Sequence, residues 1–584
     1  MVVMDASIGK VRAGFPRAVV WSVAVLGCLS AWHTAFAYET GGPENKGYVI
    51  SGEDRATIAA ALPEKAPVAP QEARKLLIFD LNVVYGGHPS RFYANRAFGE
   101  MGRKTGAFDV VISRDPAVFE KESLAAFDAV FLNNTVGNQF EDPGLRQNLL
   151  EFVYGGGGLM GVHGTTVAFW NWGEGGGDDW PEFGRMLGGR GANHREADEH
   201  VYMKVDSPGH PLMAPFPEDG FELRDEFFRV GDPYSRERVR VLFSIDTDKT
   251  DLSGKPPERE DEDYAMAWVR HYGRGRVFYS SVGHNPYQFW DPIMLEFYLR
   301  AAQFVLGDLD APTIPSARLT PAIEAQEKLG WRLGITAYTF HRYTLFEAIE
   351  KTNQVGLAYI GGLDFQKVGK DIDKNFNAQL SDEELKAVRL KLDDEGVRML
   401  TCFYSVIPGD DEGCRAVFEF ARKMGIETLI SEPPVEALDT IERFCDEYDI
   451  KLAIHNHDPK ASPHYWSPEA VMKVCEGRGP HIGVCADIGY WMRSGIDIIA
   501  AVGTIGHRLF VVQTHDLHEL SPEGHDVPWG TGVGRLRAFF EEVYRQGIKP
   551  TKFGLEYSYN WYESMPEVEQ SARFFDKVTL DLAK

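Results

Sequence analysis

KLAIHNH (451–457), IGVCAD (482–487), LFVVQTHD (509–516) and KFGLEYS (552–558) share one plan. A short apolar run, too brief for a stable helix, ends abruptly in imidazole or carboxylate: His455, Asp487, His515 and Glu556. Runs that are apolar at every position suit strands buried on both faces, as in a parallel sheet. Working outward, four earlier runs read the same way, at 332–339, 358–361, 398–404 and 428–431. Helical patterns separate them, at 382–395, 411–423, 435–447, 468–475 and 534–546. Eight strand–helix units within 331–584 predict a (β/α)8 TIM barrel, whose functional residues gather where strands end and loops begin.

Taken singly, each polar strand end has a plain structural role. Asp487 suits a helix N-cap and His515 a hydrogen-bonded loop side chain. Four on successive strands point to one mouth. Two imidazoles and two carboxylates suit a divalent metal, with Mn²⁺, Zn²⁺, Co²⁺ or Fe²⁺ favoured over Mg²⁺, which prefers more oxygen. Glu556 and His455 are also the candidate catalytic acid/base groups. His457 competes with His455 as ligand. Glu432, His457, Trp529 and His525 are candidates to line the substrate pocket, with Tyr338 and His518 beside them.

These residues resemble the sugar phosphate isomerase/epimerase family of xylose isomerase-like barrels. The marks are LGITAYTF (333–340), LAIHNH, Asp487, THD, GTG (530–532) and GLEYS. The resemblance implies a carbohydrate substrate and a metal held by Glu, Asp, His and Glu on strands five to eight. Asp487, His515 and Glu556 match in type, whereas His455 stands where the family has Glu. Tyr490 stands where the family often has His. One carboxylate and one imidazole, in place of two opposed carboxylates, also suit aldose–ketose isomerisation or β-elimination from a 3-keto-glycoside. A non-catalytic carbohydrate-binding protein is the remaining reading.

The first half alternates differently. Strand-like runs fall at 75–81, 108–112, 129–133, 159–163, 200–205, 239–244, 266–269 and 276–280, with helical patterns at 143–154 and 290–306. That order predicts a largely parallel, doubly wound α/β sheet. GVHG (161–164) has the outline of a strand-to-helix elbow, where other folds expose Ser or Cys and this chain has His163. GGGLMGVHG (156–164), DEFF (225–228), AWVRHYGRGRVFY (267–279) and GHN (283–285) resemble the ThuA-like, trehalose-utilisation domain, a class I glutamine amidotransferase-like fold. No cysteine lies within the domain at 75–309, which excludes thiol amidotransferase chemistry there. His163, Glu226 and His284 are the candidate pocket, with Trp170, Trp172 and Trp180 as a sugar platform.

The expected organisation is a signal peptide at 1–37, a linker at 38–74, the ThuA-like domain at 75–309, a Pro/Gly/Asp linker at 310–330 and the barrel at 331–584. Lys10, Arg12 and Arg17 precede an apolar run at 18–29 and a small-residue cleavage site, Ala35–Phe36–Ala37. An uncleaved anchor, or a lipid-modified Cys28, is the alternative. The net charge of −25 opposes nucleic-acid or anionic-lipid partners. The five cysteines outside the signal read as buried free thiols, not a disulfide framework. Oligomeric state carries no sequence mark.

Overall fold

The structure, a computed structural model, describes residues 49–170, 179–253 and 259–584. The expected signal peptide and Trp172 lie outside the described residues. In the first half, β1 (Lys75–Phe79), β2 (Asp109–Ser113), β3 (Ala129–Asn133) and β4 (Gly158–Val162) pair in parallel. Short β5 (Arg190–Asn193) pairs apart from the main sheet with β8 (Arg229–Gly231). β6 (Glu199–Val205), β7 (Phe221–Asp225), β9 (Arg240–Ile245), β10 (Ala265–Tyr272) and β11 (Gly275–Ser280) complete a nine-stranded sheet in the order β2-β1-β3-β4-β11-β10-β9-β6-β7.

The fold is mixed α/β, with a larger antiparallel part than the strand–helix alternation suggested. β11 is parallel to β4, but β10, β9, β6 and β7 join antiparallel. Alternation in β1 shows why both faces are covered. Leu76 and Ile78 enter one apolar core, while Leu77 and Phe79 enter the other.

Within the stretch read as a linker before Lys75, the described residues include a helix. Ser51 caps a helix, Gly52–Ala61, and Ile58 buries itself in the domain core. Likewise, in the second expected linker, Thr320 caps a helix, Pro321–Leu329, that packs on the C-terminal helix Met565–Leu582. Composition marks such stretches as breaks but does not register their single buried apolar stripe.

The second half closes as the predicted barrel. Its strands are β12 (Leu333–Thr336), β13 (Tyr359–Leu363), β14 (Arg398–Phe403), β15 (Thr428–Ser431), β16 (Lys451–Ile454), β17 (Ile482–Asp487), β18 (Leu509–Thr514) and β19 (Lys552–Leu555). All neighbours are parallel, and β12 pairs β19 to close the ring. β12 is shorter than its apolar run, because Ala337–Phe340 turns into a 3₁₀ helix. Cys402, Cys414, Cys445, Cys475 and Cys485 are buried free thiols. No helix among the described residues is long and apolar enough to cross a membrane.

Candidate metal centre and second histidine cluster

The barrel centre grows from the ends of β17, β18 and β19. Asp487 does two jobs at once: Oδ1 accepts from the Tyr490 amide as the N-cap of Ile488–Arg493, while Oδ2 faces inward. His515 Nε2 lies 3.6 Å from that oxygen and 3.8 Å from Glu556 Oε1. Ligand atoms from Asp487, His515 and Glu556 all lie within 4.8 Å of one another. His455 adjoins this trio, its Nε2 3.6 Å from Asp487 Oδ2, but it clusters more closely with Glu432 and His457. The four expected ligands are therefore three converging groups and one flanking imidazole.

Carboxylates fix both imidazoles from behind. His515 Nδ1 donates to Asp526 Oδ1 at 2.9 Å, and His455 Nδ1 donates to Glu432 Oε1 at 2.8 Å. With the proton held on Nδ1, a neutral ring turns its Nε2 lone pair inward, the arrangement common behind metal-bound histidines. His515 Nε2 and Glu556 Oε2 are buried with no hydrogen-bond partner. Buried polar atoms are rarely left so. The orphaned atoms and the N/O donor set both fit a divalent transition metal.

Without such an ion the charges lean on each other. Burial would push His515 down, but Asp526 and Asp487 hold it well above the usual imidazole range. His455 is likewise raised to about 9, burial being outweighed by Asp487 and Glu432. Asp487 is lowered, the two imidazoles overcoming its burial. Glu556 is raised, first by burial and then by the Asp487 charge, which outweigh the pull of the histidines.

The other expected site residues divide. Glu432 is engaged by His455, His457 and Ser462. It is a positioning carboxylate more than a substrate contact, and these bonds hold it down to about 2 against its burial. His457 is partly exposed and stacks edge-on to His455 and Tyr490, but it is His455 whose Nε2 faces Asp487. His525 lies stacked between His518 and Tyr559. Trp529 does not line the mouth: it is 1% exposed, packed against Phe540 and Phe575. Its apolar bulk went to the core, and among the described residues the exposed aromatics are Tyr338, Phe365, Tyr544, Tyr559 and Tyr562. Tyr338 touches Phe365, His341 and Trp561 and feels the Glu556 charge.

Two positioning residues were missed. Asn456 donates to the Asp487 carbonyl at 3.1 Å and accepts from its amide at 3.0 Å, tying the ends of β16 and β17 together. It sits inside the quoted HNH, but adjacency to His455 was its sole mark. Asp526 follows His525 in a loop that returns to β18 only through tertiary contact.

In the first domain, His163, Glu226 and His284 do come together, joined by His88 and His194. His163 Nε2 is 3.3 Å from His284 Nδ1 and 3.5 Å from Glu226 Oε1. Glu226 Oε1 is 3.4 Å from His284 Nδ1, and Oε2 is 3.2 Å from His194 Nδ1. His163 opens the 3₁₀ helix His163–Val167 with φ +42°, a left-handed conformation uncommon outside glycine, but it is fully buried, not exposed as the elbow reading expected. A Cβ on Gly161 would come within 2.7 Å of Thr165, and one on Gly164 within 2.9 Å of Val136, so this turn needs both glycines. Trp180 is buried against Phe169 and Phe183 and is core. Trp170 is half-buried beside Arg190.

Two families match the chain: ThuA, trehalose utilisation, over residues 75–305, and the xylose isomerase-like TIM barrel over 349–578. Similar solved structures include an uncharacterised protein from Parabacteroides distasonis, 32% identical over 42% of this chain and 99% of its own, TM-score 0.36. A ThuA-like protein from Bacteroides uniformis is 20% identical over 41% and 94%, TM-score 0.34. A D-tagatose 3-epimerase-like protein is 15% identical over 42% and 96%, TM-score 0.35. No curated protein matches. The chain thus carries in tandem a ThuA, trehalose-utilisation region and a xylose isomerase-like TIM barrel region.

Proposed function

We propose that the barrel is a metal-dependent sugar isomerase or epimerase that removes a proton beside the carbonyl of a sugar or keto-sugar. The observation that carries this reading is the convergence of Asp487, His515 and Glu556 with His515 Nε2 and Glu556 Oε2 left unpartnered. A divalent ion held by these three, with His455 flanking, would polarise the carbonyl and neighbouring hydroxyl and so acidify the carbon-bound proton.

The protein groups supply the proton traffic. Glu556 Oε1 faces His515 and its Oε2 is buried without a protein partner, which suits a group that takes a proton and returns it. His455 Nε2, braced by Glu432 through Nδ1, is the second proton carrier. Asn456 keeps the two strand ends in register. Tyr338, Phe365 and Trp561 offer ring faces at the mouth, which suit a sugar's C–H surface. Returning the proton to the adjacent carbon gives isomerisation; returning it to the opposite face of the same carbon gives epimerisation.

The imidazole of His455, where a second carboxylate would serve two-sided epimerisation, favours a second reading: β-elimination from a 3-keto-glycoside. There the proton leaves next to the ketone and the glycosidic oxygen departs from the β-carbon. We further infer export, from the basic and apolar N-terminal sequence; N-terminal sequencing of the mature protein tests it. The net charge of −25 argues for a small neutral substrate over a polyanion.

The metal-stripped full chain, given Mn²⁺ or Co²⁺ with ketoses, aldoses and 3-keto-glucosides in D₂O, is followed by NMR. Deuterium at the carbon beside the carbonyl is expected, metal-stimulated and reduced by about 10²-fold or more in H515A and E556Q. Release of an aglycone instead selects elimination. A chain with no bound or stimulating metal, indifferent to both substitutions, refutes the proposal.

A further inference from the structure

The first domain holds its own convergence of donors, unconnected with the barrel chemistry. His88 follows β1, His163 follows β4, Glu226 follows β7 and His284 follows β11, so four strand ends meet at one point. Each offers a ligand atom, and all four atoms lie within 4.8 Å of one another. The three imidazole rings are almost evenly spaced, with centroids 4.8, 4.9 and 5.1 Å apart.

Three details favour a cation over a packed polar core. First, the distances fit. Ligands ~2.1 Å from a tetrahedral ion stand about 3.4 Å apart. His163 Nε2, His284 Nδ1 and Glu226 Oε1 form a triangle with edges of 3.3, 3.4 and 3.5 Å. Second, the tautomer is set. His163 Nδ1 donates to the Ser281 carbonyl at 3.1 Å, so its neutral ring aims a lone pair at His284 and Glu226. Third, His88 is 5% exposed and its Nδ1 is buried with no hydrogen-bond partner.

The surroundings are built to hold this geometry. Buried Asp225 accepts from the amides of Gly283, His284 and Asn285 and from the Asn285 side chain, clamping the turn that carries His284. The left-handed backbone of His163 is maintained by an elbow whose glycines admit close neighbours. One side is accessible: the His284 and His194 side chains are 21% and 44% exposed. Tyr85, Trp170 and Phe228 line that approach as an aromatic wall.

We propose that His88, His163, His284 and Glu226 form a divalent transition-metal site in the first domain, with a coordination position open toward His194. Three imidazoles and a carboxylate select zinc-type ions over Mg²⁺ or Ca²⁺. The open side and aromatic wall fit a small hydroxylated ligand, such as a sugar, bound through an oxygen.

The test uses the full chain carrying D487N and H515A to silence the barrel, titrated with Co²⁺ and read by calorimetry and ligand-field absorption. One equivalent is expected, lost on adding H163N or H284N and weakened about 10-fold or more by E226Q, a shape-preserving change. Circular dichroism checks folding, and E226Q decides if either histidine variant misfolds. The proposal is overturned if the barrel-silenced chain takes up no Co²⁺, or if E226Q and the folded histidine variants bind it unchanged. A failed barrel reading leaves this site untouched, since its signal is recorded with the barrel already disabled.

Discussion

Asp526 illustrates how a residue behind a candidate ligand can set that ligand's tautomer. Its Oδ1 accepts the His515 Nδ1 proton and its Oδ2 accepts the Ser558 amide at 2.6 Å, linking β18 to the loop after β19. Asparagine keeps the volume, but one of its two faces becomes a donor and opposes an N–H. If that bond fixes the His515 tautomer, D526N lowers metal affinity about 10- to 100-fold. Competition against a chelating dye measures this directly. A merely structural Asp526 would instead lower the unfolding temperature of the metal-free chain and leave the affinity of the folded fraction unchanged. The same logic separates Asp487 from an ordinary cap: its Oδ1 caps the helix, while its Oδ2 faces His515 Nε2 at 3.6 Å.

The strands of the barrel differ in what their opposite ends do. At the C-terminal ends lie the candidate ligands; at the N-terminal ends Glu427, just before β15, receives Arg332 in a two-point grip at 2.9 and 2.8 Å and Arg398 at 3.1 Å. That ties β12, β14 and β15 together. Burial alone would raise the Glu427 carboxyl, but the two guanidinium groups hold it down to about 2 from 4.5. A carboxylate with a lowered folded-state value contributes stability that is present above about 4.5 and disappears as pH falls toward about 2. E427Q is therefore expected to cost about 2 kcal/mol at pH 7 and to flatten the acid loss between pH 4.5 and 2, read by urea unfolding across pH. An unchanged acid limb would mean that the arginines do not depend on this carboxylate. These elements also show what was legible beforehand. All eight barrel strands announced themselves, because a strand buried on both faces is mostly apolar. β5, β7 and β8 did not: FELRD alternates exposed charge with weak apolar content, and RGAN and RVG are too short to carry a pattern. The barrel centre was legible because its donors terminate such runs. His88 was not, since it lies in a Gly–Pro-flanked loop and reaches His163 only through the parallel pairing of β1, β3 and β4.

The two domains meet at the closed end of the barrel. The β10–β11 turn lies against the start of β14, where Arg398 Nε donates to the Gly273 carbonyl at 3.2 Å, and Arg274 reaches Asp449, just before β16, at 2.7 Å. The barrel mouth therefore faces away from the first domain, and the strand ring itself is filled, with Lys552, Cys485 and Ile430 buried inside it. What couples the domains is mechanical, and its best-buried link is Arg270 on β10 with Asp393, in the last turn of the helix Asp382–Asp394. Their side chains are 7% and 4% exposed, and Arg270 also donates to the Arg185 carbonyl at 2.6 Å. Arg185 and Arg238 add outer contacts to Asp394 at 2.5 and 3.2 Å, which exposure makes weaker. Removing one partner of a buried pair strands the other charge at a cost of about 3–5 kcal/mol. D393A should therefore lower the unfolding temperature and split one calorimetric transition into two, as the domains melt separately. Both metal equivalents should remain, because neither donor set touches Asp393. A single, unshifted transition would show that the outer pairs and apolar contacts suffice to hold the domains together. Loss of metal from the barrel alone would instead show that the closed end transmits strain to the mouth.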